Sequence, residues 1–198
     1  GVLASPDGRW KIPVAWHLKA APLLRGEVEV ELAPQEGLDT PRGTLRIART
    51  GFAAQGLVLD LPATVLDSAF AGRAPATFGG EIRVEARELA VDGPQGRGSM
   101  KLTWERARLA AADGTSVALG TVSATVVPRD GAFVGRITNV GGEVSVDGTT
   151  TLSRGGVALD ATLAPRAGAS EATARVLGQL SPPDANGAVR LQWVSERR

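Results

Sequence analysis

The chain has 198 residues, with 22 basic against 21 acidic side chains and a formal net charge of +1. The two signs are interspersed, so the basic footprint of an electrostatic nucleic-acid binder is missing and no nucleic-acid partner is expected. With no cysteine, disulfides, thiolate nucleophiles and thiolate metal sites are excluded.

Period-2 alternation dominates from the start, the mark of half-buried strands. Val28, Val30 and Leu32 face one way and Glu27, Glu29 and Glu31 the other. Leu45 and Ile47 follow, then Leu57, Leu59 and Leu61. Pro62 to Phe70 breaks the alternation and predicts a short helix over 63–70, with Val65, Leu66, Ala69 and Phe70 on one side. Ile82, Val84 and Ala86 then alternate with Glu81, Arg83, Glu85 and Arg87. Next come Met100, Leu102 and Trp104, then Val117 with Leu119, and Val122 with Val126. Phe133 with Ile137, Val144 with Val146, and Val157, Leu159 and Leu163 continue the series. A second helix is predicted over 171–180, with Ser170 as N-cap, Glu171 in the first turn and Pro182-Pro183 as the stop. Val189, Leu191 and Trp193 close the chain. Asp-Gly, Asn-Gly and Gly-Gly pairs, such as Asp113-Gly114, Asp130-Gly131 and Asn186-Gly187, punctuate the strands with hairpin turns.

The expected fold is mainly β: a curved, largely antiparallel sheet of short hairpin strands, partly open barrel or sandwich-like, with two short helices. Residues 1–198 read as a single β domain, or two halves with a seam near 72–80. No run approaches the roughly 20 apolar residues of a membrane-spanning helix.

Chemistry is scarce. His17, the one histidine, lies in a strand-like segment and is expected to be structural or exposed, without a catalytic role. Gly93, Gly96 and Gly98 are followed by a strand pattern and not by the helix a phosphate loop needs, so they read as a turn. Glu81, Arg83 and Glu85 share one polar face, where cross-strand charge pairing is the plain reading. No nucleophile elbow or paired-acid arrangement stands out. No catalytic, cofactor-binding or metal-binding residue is expected. Trp104 and Trp193 lie in register with Leu102 and Leu191 and are expected to pack in the core. Glu27, Glu29 and Glu31 mark one candidate partner-binding edge strand, on which the charges could equally serve to prevent pairing, and the Gly-rich final hairpins are a second candidate edge.

Several segments in order resemble the type II secretion system protein N family. Leu61-Pro62-Ala63-Thr64-Val65-Leu66 is similar to its LPA-x-LL segment, Gly80-Glu81-Ile82-Arg83-Val84 to a G-x-L-x-L strand, and Gly98 to Ala107 to a G-x-x-x-L-x-W-x-x-A strand. Ala118-Leu119-Gly120-Thr121, Leu177-Gly178-Gln179 and Asn186 to Leu191 resemble later segments; Trp16-His17-Leu18 and Leu23-Leu24-Arg25-Gly26 resemble earlier ones. The aromatic and Asn usual after the LPA segment are replaced in Ala74 to Phe78, and Gly120-Thr121 lacks the usual aromatic. The resemblance implies a non-enzymatic accessory subunit of a machine that exports folded proteins through an outer-membrane secretin. It also implies a periplasmic domain anchored to the inner membrane by an N-terminal helix outside this sequence. Partners would be other secretion components, on the inner-membrane platform or the periplasmic domains of the secretin. The alternative expectation is a periplasmic carrier that binds or transfers lipid or another apolar ligand in a β-trough. A hydrolase of unknown type is the third.

Overall fold

The computed structural model describes residues 1–4, 8, 10–69, 76–92, 95–153 and 156–196. A small hairpin, β1 (Val2–Ala4) and β2 (Lys11–Pro13), precedes β3 (Ala15–Lys19) and a one-turn helix α1 (Ala20–Leu23). Then come β4 (Val28–Ala33), β5 (Arg42–Ile47) and β6 (Gly51–Pro62), helix α2 (Val65–Ala69), and the longest strand, β7 (Ala76–Asp92). The chain continues through β8 (Gln95–Gly98), β9 (Met100–Ala111), β10 (Ser116–Arg129), β11 (Ala132–Val140), β12 (Val144–Ser153) and β13 (Gly156–Pro165). Helix α3 (Glu171–Leu180) and β14 (Val189–Glu196) complete it.

Strands β3 to β14 form one twelve-stranded sheet, ordered β14-β13-β12-β11-β10-β9-β7-β6-β5-β4-β3, with β8 beside β7. Every pairing is antiparallel. The sheet is mostly β meander and does not close into a barrel. The strands are longer than the turn spacing suggested: β7 takes 17 residues and β10 takes 14. Among the described residues there are three short helices where the sequence pattern gave two; α1, at four residues, is too short to leave a periodic signal. The expected helix over 63–70 is realised as Val65–Ala69, and Phe70 lies outside the described residues. Of the suggested seam near 72–80, residues 76–80 fall inside β7.

Alternation produces two faces because opposite residues in an antiparallel pair share a side. Leu59, Val84, Leu102 and Ala124 line up across four strands, as do Leu61, Ile82, Trp104 and Val122. Between them runs the polar row Asp60, Arg83, Thr103 and Ser123 on the other face. There Arg83 grips Asp60 through two hydrogen bonds of 2.9 and 3.0 Å, and Thr40 donates a third at 3.0 Å.

Irregularities in three neighbouring strands fall side by side. The β7–β9 register shifts at Gly79/Glu81, Arg106 of β9 has φ 49°, and the β9–β10 register shifts on both sides of Gly120. The inserted residues lie in β9 and β10, where they flip the parity of the apolar stripe, whereas in β7 Phe78, Ile82 and Val84 keep one parity. In β9 the stripe moves from Met100, Leu102 and Trp104 to Ala107, Leu109 and Ala111. Beyond the line of bulges, Phe78, Leu109 and Val117 form the next apolar row.

The apolar face is the inside of a curl. Phe52 on β6 and Phe133 on β11 have ring centroids 6.2 Å apart, although four strand spacings of about 4.8 Å would separate them by roughly 19 Å in a flat sheet. Helix α2 packs on Ile82 and Val84 through Val65 and Leu66. Helix α3 seats the fully buried Val176 and Leu177 against Leu109, Val117, Leu119, Leu163 and Val189. Trp104 sits between these two clusters and packs on both. It is half-buried and not a fully enclosed core residue, its indole N–H donating to the Gly79 carbonyl at 2.9 Å. Trp193 is half-buried too, opposite Leu159 on β13.

Helix α3 starts at Ser170, whose side chain caps the Thr173 amide. Glu143, from the turn before β12, reaches the same helix end. Its carboxylate accepts from the Ser170 hydroxyl at 2.8 Å, the Ser170 amide at 3.3 Å and the Thr173 hydroxyl. These donors, the Thr173 hydroxyl foremost, hold the Glu143 carboxyl below its ordinary value of 4.5. A carboxylate with a depressed folded-state pKa contributes stability that is complete above the unfolded value and is lost as pH falls through the folded one. Urea unfolding across neutral to acid pH is therefore expected to show the wild-type stability falling below pH 4.5. Glu143→Gln should be less stable at neutral pH and show a shallower fall over the same interval. Parallel curves would remove Glu143 from the acid response.

Candidate interaction surfaces

The glutamate-rich strand is not an edge. The sequence pattern put Glu27, Glu29 and Glu31 on an open edge, but β4 pairs with β3 on one side and β5 on the other. Its register explains the charges. Glu29 stands between Lys19 and Arg46. It accepts from Lys19 Nζ at 2.7 Å, and from Arg46 Nε and Nη2 at 2.9 and 2.7 Å. Glu31 and Glu27 add weaker contacts of 3.9 Å to Lys19 and Arg46. Glu29 is buried at 6 % exposure, which is tolerable only because both carboxylate oxygens are paired. Its carboxyl is held below the usual range, first by the Lys19 hydrogen bond and then by Arg46, and the Lys19 ammonium is raised by the same contact. The acidic residues thus serve cross-strand pairing.

Beside this cluster lies a cleft of about 240 Å³ lined by Lys19, Glu29, Thr44, Arg46, Gln55 and Glu88, among others. That is smaller than the roughly 300–1,000 Å³ of ordinary small-molecule pockets, and its cations already face carboxylates. His17 lies exposed on β3 opposite Glu31. Among the described residues, no group of three or more His, Asp or Glu is placed to hold a metal ion.

Among the described residues, two kinds of open surface stand out. The first is the inner apolar face at the β3 end, which neither α2 nor α3 reaches. Trp16 pairs across with Leu32, Leu18 with Val30, Val28 with Ile47, and Ile47 with Phe52. Trp16 and Ile47 remain 58 % and 57 % exposed, and Leu18, Val28 and Phe52 about 40 %. The alternation made the stripe visible, but nothing local shows which part of it a distant helix will cover. The second is the pair of sheet edges, β3 and β14, each with one row of backbone donors and acceptors not engaged by a neighbouring strand.

A family model described as Type II secretion system (T2SS), protein N, matches residues 4–192. No curated protein and no solved structure matches the chain.

Proposed function

Because the chain belongs to the type II secretion system protein N family, we propose that it is a non-catalytic interaction module of the machine that exports folded proteins across the bacterial outer membrane. The observation that carries this reading is the family match running nearly end to end, over residues 4–192. The distribution of chemistry supports it. The charged cluster around Glu29 is closed on itself, and among the described residues the surfaces left open are sheet edges and an apolar face, which suit macromolecular contacts. In this reading the domain works in the periplasm, tethered to the inner membrane by a helix preceding this sequence; no helix among the described residues is long and apolar enough to cross a membrane. It contacts the inner-membrane platform or the periplasmic domains of the secretin. Tethering raises the local concentration, so affinity in isolation can be weak.

The test is photo-crosslinking in secreting cells from probes at Trp16, Ile47, Gln192 and Val194. Recovery of secretion components is the expected result. Recovery of none, with secretion unimpaired on deletion, would sink the proposal. One observation favours a second reading: the uncovered apolar stripe from Trp16 to Phe52 is a surface on which an acyl chain would lie. Native mass spectrometry of the purified domain separates the two. A co-purifying lipid lost in Trp16→Ser/Ile47→Ser would make it an apolar-ligand carrier.

A further inference from the structure

Two neighbouring hairpin ends hold apolar side chains out of the fold. Strand β3 turns into β4 through α1 and residues 24–27, and β5 turns into β6 at Arg49 and Thr50. Because β3–β4, β4–β5 and β5–β6 are all antiparallel, both turns lie at one end of the sheet. The first is braced by its backbone: the Arg25 and Glu27 amides donate to the Pro22 carbonyl, and the Gly26 amide donates to that of Leu23. At its tip Leu24 is 91 % exposed, with Leu23 exposed beside it. The second turn is closed by the Ala48 amide, which donates to the Gly51 carbonyl at 2.9 Å. Next to the turns, Val28, Ile47 and Phe52 form one row across three strands, all three exposed.

The cations of these turns are uncommitted. Arg25 and Arg49 are exposed, and neither forms an ion pair with a described residue. The carboxylate of the first turn, Glu27, faces Arg46 at 3.9 Å. Asp92, at the end of β7, alternates with Val91 and so stands on the face away from Phe52. The turns at the opposite end of the strands are acidic, with exposed Glu36, Asp39, Asp113 and Asp184 against Arg166. We propose that the two hairpin ends dock on the surface of an anionic lipid bilayer. Leu23 and Leu24 enter the acyl boundary, Ile47 follows them, and Arg25 and Arg49 meet the headgroup phosphates. Apolar side chains flanked by free cations suit the boundary between acyl chains and anionic headgroups. The shape points the same way: a fluid bilayer closes around a protruding leucine pair, where a folded partner would need a matching socket. The acidic far end is held away from the anionic surface by its own charge. This contact uses the hairpin ends and leaves the β14 edge to secretion partners, so it stands or falls apart from that reading.

Flotation of the 198-residue chain with vesicles of phosphatidylglycerol and phosphatidylethanolamine should show binding that weakens as salt is added. Vesicles of phosphatidylcholine alone should bind it roughly tenfold less. Leu23→Ser/Leu24→Ser should weaken binding to the anionic vesicles roughly tenfold or more. Arg25→Gln/Arg49→Gln should weaken it too and remove most of its salt dependence. All four positions are exposed, so thermal unfolding should be unchanged and a folding defect would be recognised. The absence of native cysteine allows the orientation to be read directly. An environment-sensitive fluorophore on Leu24→Cys should shift to the blue when anionic vesicles are added, and one on Asp113→Cys, at the opposite end, should not. Three outcomes overturn the proposal: no binding to anionic vesicles, binding that survives Leu23→Ser/Leu24→Ser, or a blue shift at Asp113→Cys without one at Leu24→Cys. Capture of Leu24 by a protein partner in cells, with vesicles left unbound by the purified chain, also counts against it.

Discussion

Trp104→Ala is expected to lower the unfolding free energy by about 3 kcal/mol, the lower end of the range for truncating large aromatics in cores. The indole packs on both clusters of the inner face, which are otherwise covered by separate helices. It lies 5.9 Å from the Phe78 ring, centroid to centroid, and it satisfies the Gly79 carbonyl beside the bulge. Its half-exposed state keeps the loss from the top of the range. Trp104→Phe separates the contributions: it retains most of the packing and removes one hydrogen bond, for a loss of about 1 kcal/mol. Urea midpoints of the two variants decide the matter, and a Trp104→Ala midpoint equal to wild type would show that the ring is not needed to join the clusters.

Gly120→Ala is expected to cost about 2–5 kcal/mol, combining about 1–2 for a left-handed alanine with about 1–3 for overpacking. Gly120 has φ 76°, and a Cβ there would lie 2.2 Å from the Val140 carbonyl oxygen and 2.7 Å from the Gly141 carbonyl carbon. Both are backbone atoms, so the strand itself must move. Gly114→Ala is the control. Its φ of 83° is similar, but nothing lies within 4 Å of the added methyl, so only the conformational cost of about 1–2 kcal/mol remains. Equal unfolding midpoints for the two variants would mean that the bulge yields freely and does not hold the bend.

The line of bulges also explains what the sequence made legible. The stripes Met100-Leu102-Trp104 and Val122 to Val126 sit on even positions, while Val117 and Leu119 sit on odd ones. The alternation identified each stripe, and therefore the strands and the antiparallel sheet. Only pairing reveals that the change of parity occurs within single strands at Arg106 and Gly120. That is why strands expected to be short are long. Helix α3 was legible because its cap, acidic first turn and diproline stop are all local. The edge was not. A run of alternating glutamates looks the same on an outer or an inner strand, and the neighbours that decide it, Lys19 and Arg46, lie 10 and 17 positions away. The closing strand offered alternation and a preceding Asn-Gly turn, which locate it but do not show that its far side stays open.

The strand order has a consequence for how the chain reaches this shape. From β3 to β14, nearly every strand lies beside the one made just before it. Each pairing closes a short loop, so the entropy of loop closure is met in small instalments and not in one long-range step. Folding should therefore be faster than for Greek-key sheets of equal size, whose strands wait for distant partners. It can also proceed in the direction of synthesis, because an emerging strand always finds its neighbour already present. Two steps must wait: the Phe52–Phe133 closure needs β11, and the seating of Val176 and Leu177 needs nearly the whole chain. Until then the growing sheet carries an advancing open edge and an uncovered apolar face, and the interval before α3 docks is when the chain is most exposed to aggregation.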